Sequence, residues 1–273
     1  MNSDKLRVLA YHGVEDISNF TAQLQYLSKN FSIIDVNVLN EHFFEGRKLP
    51  KNPLLITFDD GDLSVWQKGV PLLEKFSIPS VCFVITDLIN TEKPFWWEEI
   101  RYYLGKEKGF EKSWEVKNWK NEDRVAYLEE LRKNSSKPPI TRVQLNESQL
   151  NKMKESGVDI ANHSHTHPML DQCSAENVRE EISKSISILN SMGFKDKIFA
   201  YPNGNFDLKV EEVLKEKGIK MAFLFDHKLN KNKINPLRIS RIRVDTNIPL
   251  EEFQVKVSGL HPALYNNFVK NLY

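Results

Sequence analysis

From Leu54 to Phe58 the chain is apolar except for Thr57, and it then stops at Asp59-Asp60-Gly61. Bounded by Pro53 and Gly61, this run reads as a strand buried on both faces. Mostly apolar runs of the same kind recur at residues 6–14, 31–36, 80–85, 158–162, 198–201, 221–225 and 239–244. Between them the apolar positions shift to helical spacing. Phe20, Leu24 and Leu27 mark one face over 19–29, and a short helix is expected over 38–44. Residues 65–76 are helical in pattern, with Pro71 predicting a kink or a late start. Leu150 and Met153 mark a helix over 147–156 that stops at Gly157. Val178, Ile182, Ile186 and Leu189 mark another, stopped by Gly193, and 208–217 is helical up to Gly218. Apolar strands alternating with helices predict a parallel sheet, covered on both faces or closed into a barrel.

The rhythm breaks between residues 92 and 146. This stretch holds Phe95-Trp96-Trp97, a charged segment and a Ser-Ser-Lys-Pro-Pro linker at 135–139. It reads as a helical insertion in one domain spanning 1–273. A helical region is expected over 249–273, interrupted near Pro262.

Composition narrows the picture only a little. Of 273 residues, 40% are hydrophobic and 27% charged, ordinary for a globular protein. The formal net charge of +1 makes no case for nucleic-acid binding. Cys82 and Cys173 make no disulfide framework, and a reduced compartment is the simpler expectation. No apolar run has the length of a membrane span, and Met1 to Leu6 shows no signal region. A cytoplasmic protein, at most peripheral to a membrane, is expected; nothing in the sequence speaks to its oligomeric state.

The candidate chemistry lies at strand ends, where α/β barrels assemble their sites. Two acids closing a buried strand need partners. Residues 162–168, Asn-His-Ser-His-Thr-His-Pro, close another strand. His163 and His167 are four apart, a spacing that on a helical turn puts both imidazoles on one side. With Asp60 they form a set of two His and one carboxylate that leaves positions open on a divalent metal. Such an ion lowers the pKa of water towards about 7. Asp59, left off the metal, can act as general base. Taken alone, Asp-Asp-Gly is a solvated turn and the histidine run a surface loop; two such segments at strand ends weaken both accounts. His165, two residues from each neighbour, is expected to point away.

Thr57-Phe58-Asp59-Asp60-Gly61 and His163-Ser164-His165-Thr166-His167-Pro168 resemble the first two motifs of the polysaccharide deacetylase family, the NodB-homology domain of metal-dependent carbohydrate esterases. The resemblance covers about residues 6–260, least at the insertion. It implies a distorted (β/α) barrel that removes acetyl from N-acetylated, less often O-acetylated, sugars. It implies Asp59 as base and Asp60, His163 and His167 as ligands of one metal, Zn2+ first, with Co2+, Ni2+ or Mn2+ as alternatives. It also implies the Asn203 backbone amide as oxyanion donor, with Tyr201 beside it facing substrate. Trp96 and Trp97 are candidates to stack on a sugar, or to pack the insertion onto the barrel.

Three positions depart from the family pattern. The family's third-motif arginine is Ala200 here, and Arg241 is the candidate replacement. The family's catalytic histidine follows a leucine near the C-terminus, and Leu260-His261-Pro262 matches superficially. Tyr11-His12-Gly13, at the end of the first strand, resembles the same element moved forward, as in circularly permuted members. His12 is therefore the expected general acid, with His261 as alternative. The fourth motif has only a poor match, Phe225-Asp226-His227. The leading expectation is a sugar de-N-acetylase acting on a saccharide or glycan precursor, with a nucleotide- or lipid-linked form fitting a cytoplasmic site. The alternatives are a catalytically impaired carbohydrate-binding or scaffold protein on the same fold, or a metal hydrolase of another substrate class. Lys228, Lys231, Lys233, Arg238, Arg241 and Arg243 are candidates to hold a diphosphate.

Overall fold

The computed structural model describes residues 5–194, 197–230 and 233–259. The chain runs β1 (Arg7–Tyr11), α1 (Ile17–Asn30), β2 (Ser32–Ile33), α2 (Val36–Phe44), β3 (Pro53–Phe58), α3 (Val70–Phe76) and β4 (Ser80–Val84). Three helices follow before the next strand helix: α4 (Trp96–Leu104), α5 (Lys106–Glu115) and α6 (Asn121–Asn134). Then come α7 (Glu147–Glu155), β5 (Val158–Asn162), α8 (Ala175–Ser191), β6 (Ile198–Ala200), α9 (Leu208–Glu216), β7 (Met221–Phe223), β8 (Ile242–Arg243) and α10 (Leu250–Ser258).

The paired strands are parallel, in the order β7-β6-β5-β4-β3-β1-β8, with β2 also paired to β3. The sheet curls into a (β/α) barrel. The segment from Ile239 to Arg243 spans its two edges: Ile239 bridges Phe223 of β7, and Ile242 and Arg243 pair with Leu9 and Ala10 of β1. That single bridge is why the strand expected over 239–244 is shorter than its apolar run. The second run is short for another reason: Asp35 leaves the strand to cap α2, its side chain accepting from the Val38 N–H. Asp16, Ser174 and Asp207 cap α1, α8 and α9 in the same way, and Asn146 with Gln149 forms a capping box on α7. Pro71 lies just past a π-helical turn, Val65–Gly69, that precedes α3. A proline cannot donate to the preceding turn, and the helix is irregular where its bond is missing.

Strand alternation divides the core. Val8, Leu55, Val81, Phe83, Phe223 and Ile239 share one cluster inside the barrel. Leu9, Tyr11, Leu54, Ile56, Phe58 and Cys82 belong to another, packed against Phe20 and Leu24 of α1 and Leu73 of α3. Both faces of these strands are therefore apolar, as covered parallel sheets require. The parity also aims the strand ends. Leu55 fixes an inward direction for Thr57 and Asp59, Ile239 for Arg241, and Val8 for His12.

Helices α4 to α6 build a small core of their own from Trp96, Ile100, Val116 and Leu128, closed by Met169 from the loop after β5. Among the described residues, no helix is long and apolar enough to cross a membrane.

Candidate metal centre and catalytic cavity

Asp59 and Asp60 follow β3 directly. Asp60 takes a left-handed backbone, φ 69°, and Gly61 continues it at φ 73°. That reversal lets two adjacent carboxylates enter one cavity instead of alternating across the sheet. A Cβ on Gly61 would also meet Val84 Cγ1 at 3.2 Å.

The two histidines converge differently from the sequence expectation. His163 to His167 form an irregular loop, not a helical turn, with Ser164 and His167 at φ 66° and 54°. Side-chain bonds to the backbone hold this shape. The Ser164 N–H donates to Asn162 Oδ1 at 2.8 Å, and the His167 N–H to Ser164 Oγ at 3.1 Å. Glu181 of α8 accepts from the N–H groups of His165 and Thr166 at 3.0 and 2.9 Å. Local strain of this kind clusters at functional sites.

The result is one donor set. Nε2 of His163 and Nε2 of His167 lie 3.4 and 3.5 Å from the same Asp60 Oδ1, and all three ligand atoms fall within 4.8 Å of one another. His163 Nδ1 sits 2.9 Å from the Ala200 carbonyl oxygen. That contact places the proton on Nδ1 and turns the Nε2 lone pair inward, as a metal ligand requires. His167 is held by packing instead, edge-on to Trp97 at 4.9 Å and to His163 at 4.8 Å. Burial, then the neighbouring His163, push its imidazole down to about 3, so it is neutral and able to coordinate at pH 7. Burial disfavours charge on His163 as well, but Asp59 and Asp60 outweigh it and raise its pKa; a cation bound there displaces that proton. Two nitrogens and one oxygen converging from buried positions fit a divalent cation.

Asp59 is 3% exposed and Arg241 fully buried, and they meet through two bonds. Arg241 Nη1 donates to Asp59 Oδ1 at 2.6 Å and Nη2 to Oδ2 at 2.8 Å. The guanidinium is fixed by further donations to the Leu224 carbonyl at 2.7 Å and to Thr57 Oγ1 at 3.1 Å. Burial pushes the Asp59 carboxyl up, but Arg241, then His163, hold it below the usual carboxylate value. The inward position on β6 belongs to Ala200, which adds no charge, and Arg241 reaches Asp59 from the segment beside β8.

A cavity of about 330 Å3 opens over these groups. His12 lines it, its ring edge-on to Phe225 at 5.5 Å and its buried Nδ1 without a hydrogen-bond partner among the described residues. Asn203 lines it from a tight turn at φ 57°, and Trp97 lines it from α4. A larger cavity of about 500 Å3 also touches Trp97 and His167.

One expected substrate contact, Tyr201, is corrected. Tyr201 is fully buried among Phe199, Val210 and Leu237, and its hydroxyl donates to the Leu237 carbonyl at 3.1 Å. Ala200 faces the barrel interior, so its neighbour must face the outer helices. Trp96 lines the larger cavity beside Trp97 and not the one over the metal set, and it packs the insertion onto the barrel, the alternative expected for it. Its indole N–H donates to the His167 carbonyl at 3.1 Å, and Arg124 covers its face at 4.8 Å. His165 points away as expected, with Nδ1 2.9 Å from Thr86 Oγ1. His261 and Lys231 lie outside the described residues. The basic C-terminal stretch is not one surface: Arg238 pairs with Glu211, Lys228 with Asp226, and Arg241 is internal.

Sequence reasoning missed the wall supplied by α4 and α5 and the turn after them. Arg101, Phe110, Trp114 and Lys117 all line the cavity. Phe110 and Trp114 are four apart, a helical signal present in the charged segment, but nothing in their spacing ties them to the barrel.

The family profile for polysaccharide deacetylase matches residues 46–222. The poly-β-1,6-N-acetyl-D-glucosamine N-deacetylase of Staphylococcus aureus is 24% identical over 231 residues, covering 83% of this chain and 66% of that protein. The chain thus spans just under two thirds of that relative's length. The Streptococcus pyogenes deacetylase PplD, solved in complex with acetate, superposes with a TM-score of 0.69 at 17% identity, over 93% of this chain and 99% of that one. IcaB from Ammonifex degensii gives 0.67 at 21% identity, over 93% and 96%. At these identities the structures share the fold.

Proposed function

The chain belongs to the polysaccharide deacetylase family, and from that premise we propose that it hydrolyses the N-acetyl group of an amino sugar within a saccharide, with O-acetyl as a lesser substrate. The observation that carries this reading is the pairing of a buried, Arg241-held Asp59 with the donor set of Asp60, His163 and His167 in one cavity. A module that only binds sugar has no use for a fixed, ionised carboxylate beside a metal site.

Asp60, His163 and His167 would hold one divalent cation, which we propose to be zinc; when bound it polarises the acetyl carbonyl and acidifies the attacking water. Asp59 accepts the proton that the water loses as its oxygen attacks the carbonyl carbon. Arg241 keeps Asp59 ionised and fixes its two oxygens in place. The Asn203 backbone N–H serves the developing oxyanion. His12 donates a proton to the sugar nitrogen as the carbon–nitrogen bond breaks, leaving acetate and a free amine. The poly-N-acetylglucosamine named for the Staphylococcus aureus relative makes N-acetylglucosamine the first sugar to try, free, polymeric, or linked to a nucleotide or lipid.

The test is acetate release from N-acetylglucosamine oligomers by metal-stripped protein, with and without zinc, cobalt, nickel or manganese. Release restored by metal and absent in Asp60→Ala is expected. Metal bound in the wild type without acetate release from any N- or O-acetylated saccharide would overturn the reading.

A further inference from the structure

The catalytic cavity holds more positive charge than removal of an acetyl group requires. Arg101 and Lys117 come from the helical segment after β4, Arg243 comes from β8, and all three line the cavity beside Asp59 and Asp60. Arg241 already neutralises Asp59. Three cations then face one carboxylate, Asp60, which is itself committed to a cation.

Among the described residues neither Arg101 nor Lys117 has an acidic group within ion-pair distance, although Glu98, one turn before Arg101, attracts it from further off. Arg101 Nε reaches Ser113 Oγ at 3.4 Å, and its guanidinium lies 5.2 Å from the Phe110 ring centre. Lys117 Nζ donates to Asn203 Oδ1 at 2.7 Å and lies 4.0 Å from the Trp114 ring centre. Arg243 is paired with Asp245 at 3.3 Å in a half-exposed contact, which contributes little. Burial pushes the Lys117 ammonium down to about 8, with Arg101 and Arg243 pushing the same way against Asp60. Like charges that converge on a cavity from separate segments repel each other, and an anion placed between them relieves the repulsion. Phe110 and Trp114, 52% and 46% exposed, line the same cavity, so the wall adds apolar ring surface for a sugar beside the faces that Lys117 and Arg101 cover.

We propose that this wall is a subsite for an anionic substituent, a phosphate or a carboxylate, so that the saccharide acted upon is acidic and not neutral. The inference rests on the deacetylase reading for the identity of the site. Lys117 contacts the anion while also holding the Asn203 side chain, which places the anion beside the Asn203 turn.

The test is binding to metal-stripped full-length protein, where phosphate has no metal to coordinate and no acetate is released. N-acetylglucosamine, N-acetylglucosamine 6-phosphate and N-acetylmuramic acid are titrated by calorimetry at low salt. At least one charged probe is expected to bind about tenfold more tightly than the neutral sugar, the size of one good charge-assisted contact. Which charged probe gains identifies the anion. The preference is expected to shrink below about threefold in Lys117→Gln, to persist in Lys117→Arg and to fade at high salt. Equal affinities for all three sugars, no measurable binding of either charged probe, or a preference untouched by Lys117→Gln would overturn it. Because binding is read without turnover, a missing preference and a missing deacetylase activity are separate results.

Discussion

At the scale of single residues, the most consequential contact is the buried pair of Asp59 and Arg241. A buried ion pair adds little net stability over an apolar pair, but removing one partner strands the other charge. Arg241→Met is therefore expected to destabilise the protein by about 3–5 kcal/mol, read from urea unfolding. Adding Asp59→Asn removes the stranded carboxylate and is expected to recover most of that loss, while acetate release is abolished with the base. A double variant as unstable as Arg241→Met would show that the arginine acts through packing against Phe83 and Phe225, 5.4 and 5.7 Å away, and not through the carboxylate. Most of this contact was legible in the sequence. Asp59 reads as base because it is the acid left off the metal at a strand end, and the family resemblance makes Arg241 the candidate substitute for the arginine that position 200 lacks. Two-residue alternation then decides the contact, since Asp59, just past β3, and Arg241, just before β8, keep the inward parity of Leu55 and Ile239. The same parity, applied to Ala200, would have excluded Tyr201.

At the scale of elements, strands and their ends were readable because a continuous apolar run and its polar stop are local signals. The loop from His163 to His167 was not, because its shape depends on positive φ at Ser164 and His167 and on the distant Glu181 carboxylate. Nor was the wall from α4 to α6, whose docking depends on Trp96 reaching the His167 carbonyl and on Met169 closing its core. The turn holding Asn203 shows how tightly such elements are fitted. Gly204 sits at φ 75°, and a Cβ there would fall 2.2 Å from Phe225 Cβ and 2.4 Å from its backbone nitrogen. Neither can move without shifting the wall beside His12. Gly204→Ala is expected to displace the turn and lower kcat for acetate release by on the order of tenfold to a hundredfold, as loss of oxyanion alignment does. Turnover unchanged in a folded variant, checked by circular dichroism, would detach this turn from the chemistry.

For the molecule as a whole, the donor set links parts of the chain far apart in sequence. Asp60 closes β3, while His163 and His167 follow β5, and β4 lies between those two strands. His163 is tied in turn to β6 through Ala200, and the His167 backbone to α4 through Trp96. A cation held by this set binds the folded chain and not the unfolded one, so its binding energy adds to global stability. At a free zinc concentration a hundred times the dissociation constant, the gain is about 2.7 kcal/mol. For a chain of this size that corresponds to a rise in Tm of about 5 °C over the metal-stripped protein. Because the helices after β4 pack on the loop that carries His167, they are expected to melt together with the barrel, in one calorimetric transition that zinc moves as a unit. Asp60→Ala is expected to abolish the shift. Two transitions, with zinc moving only one, would mean that the helical wall unfolds apart from the barrel and that the cavity it lines is open in part of the folded population.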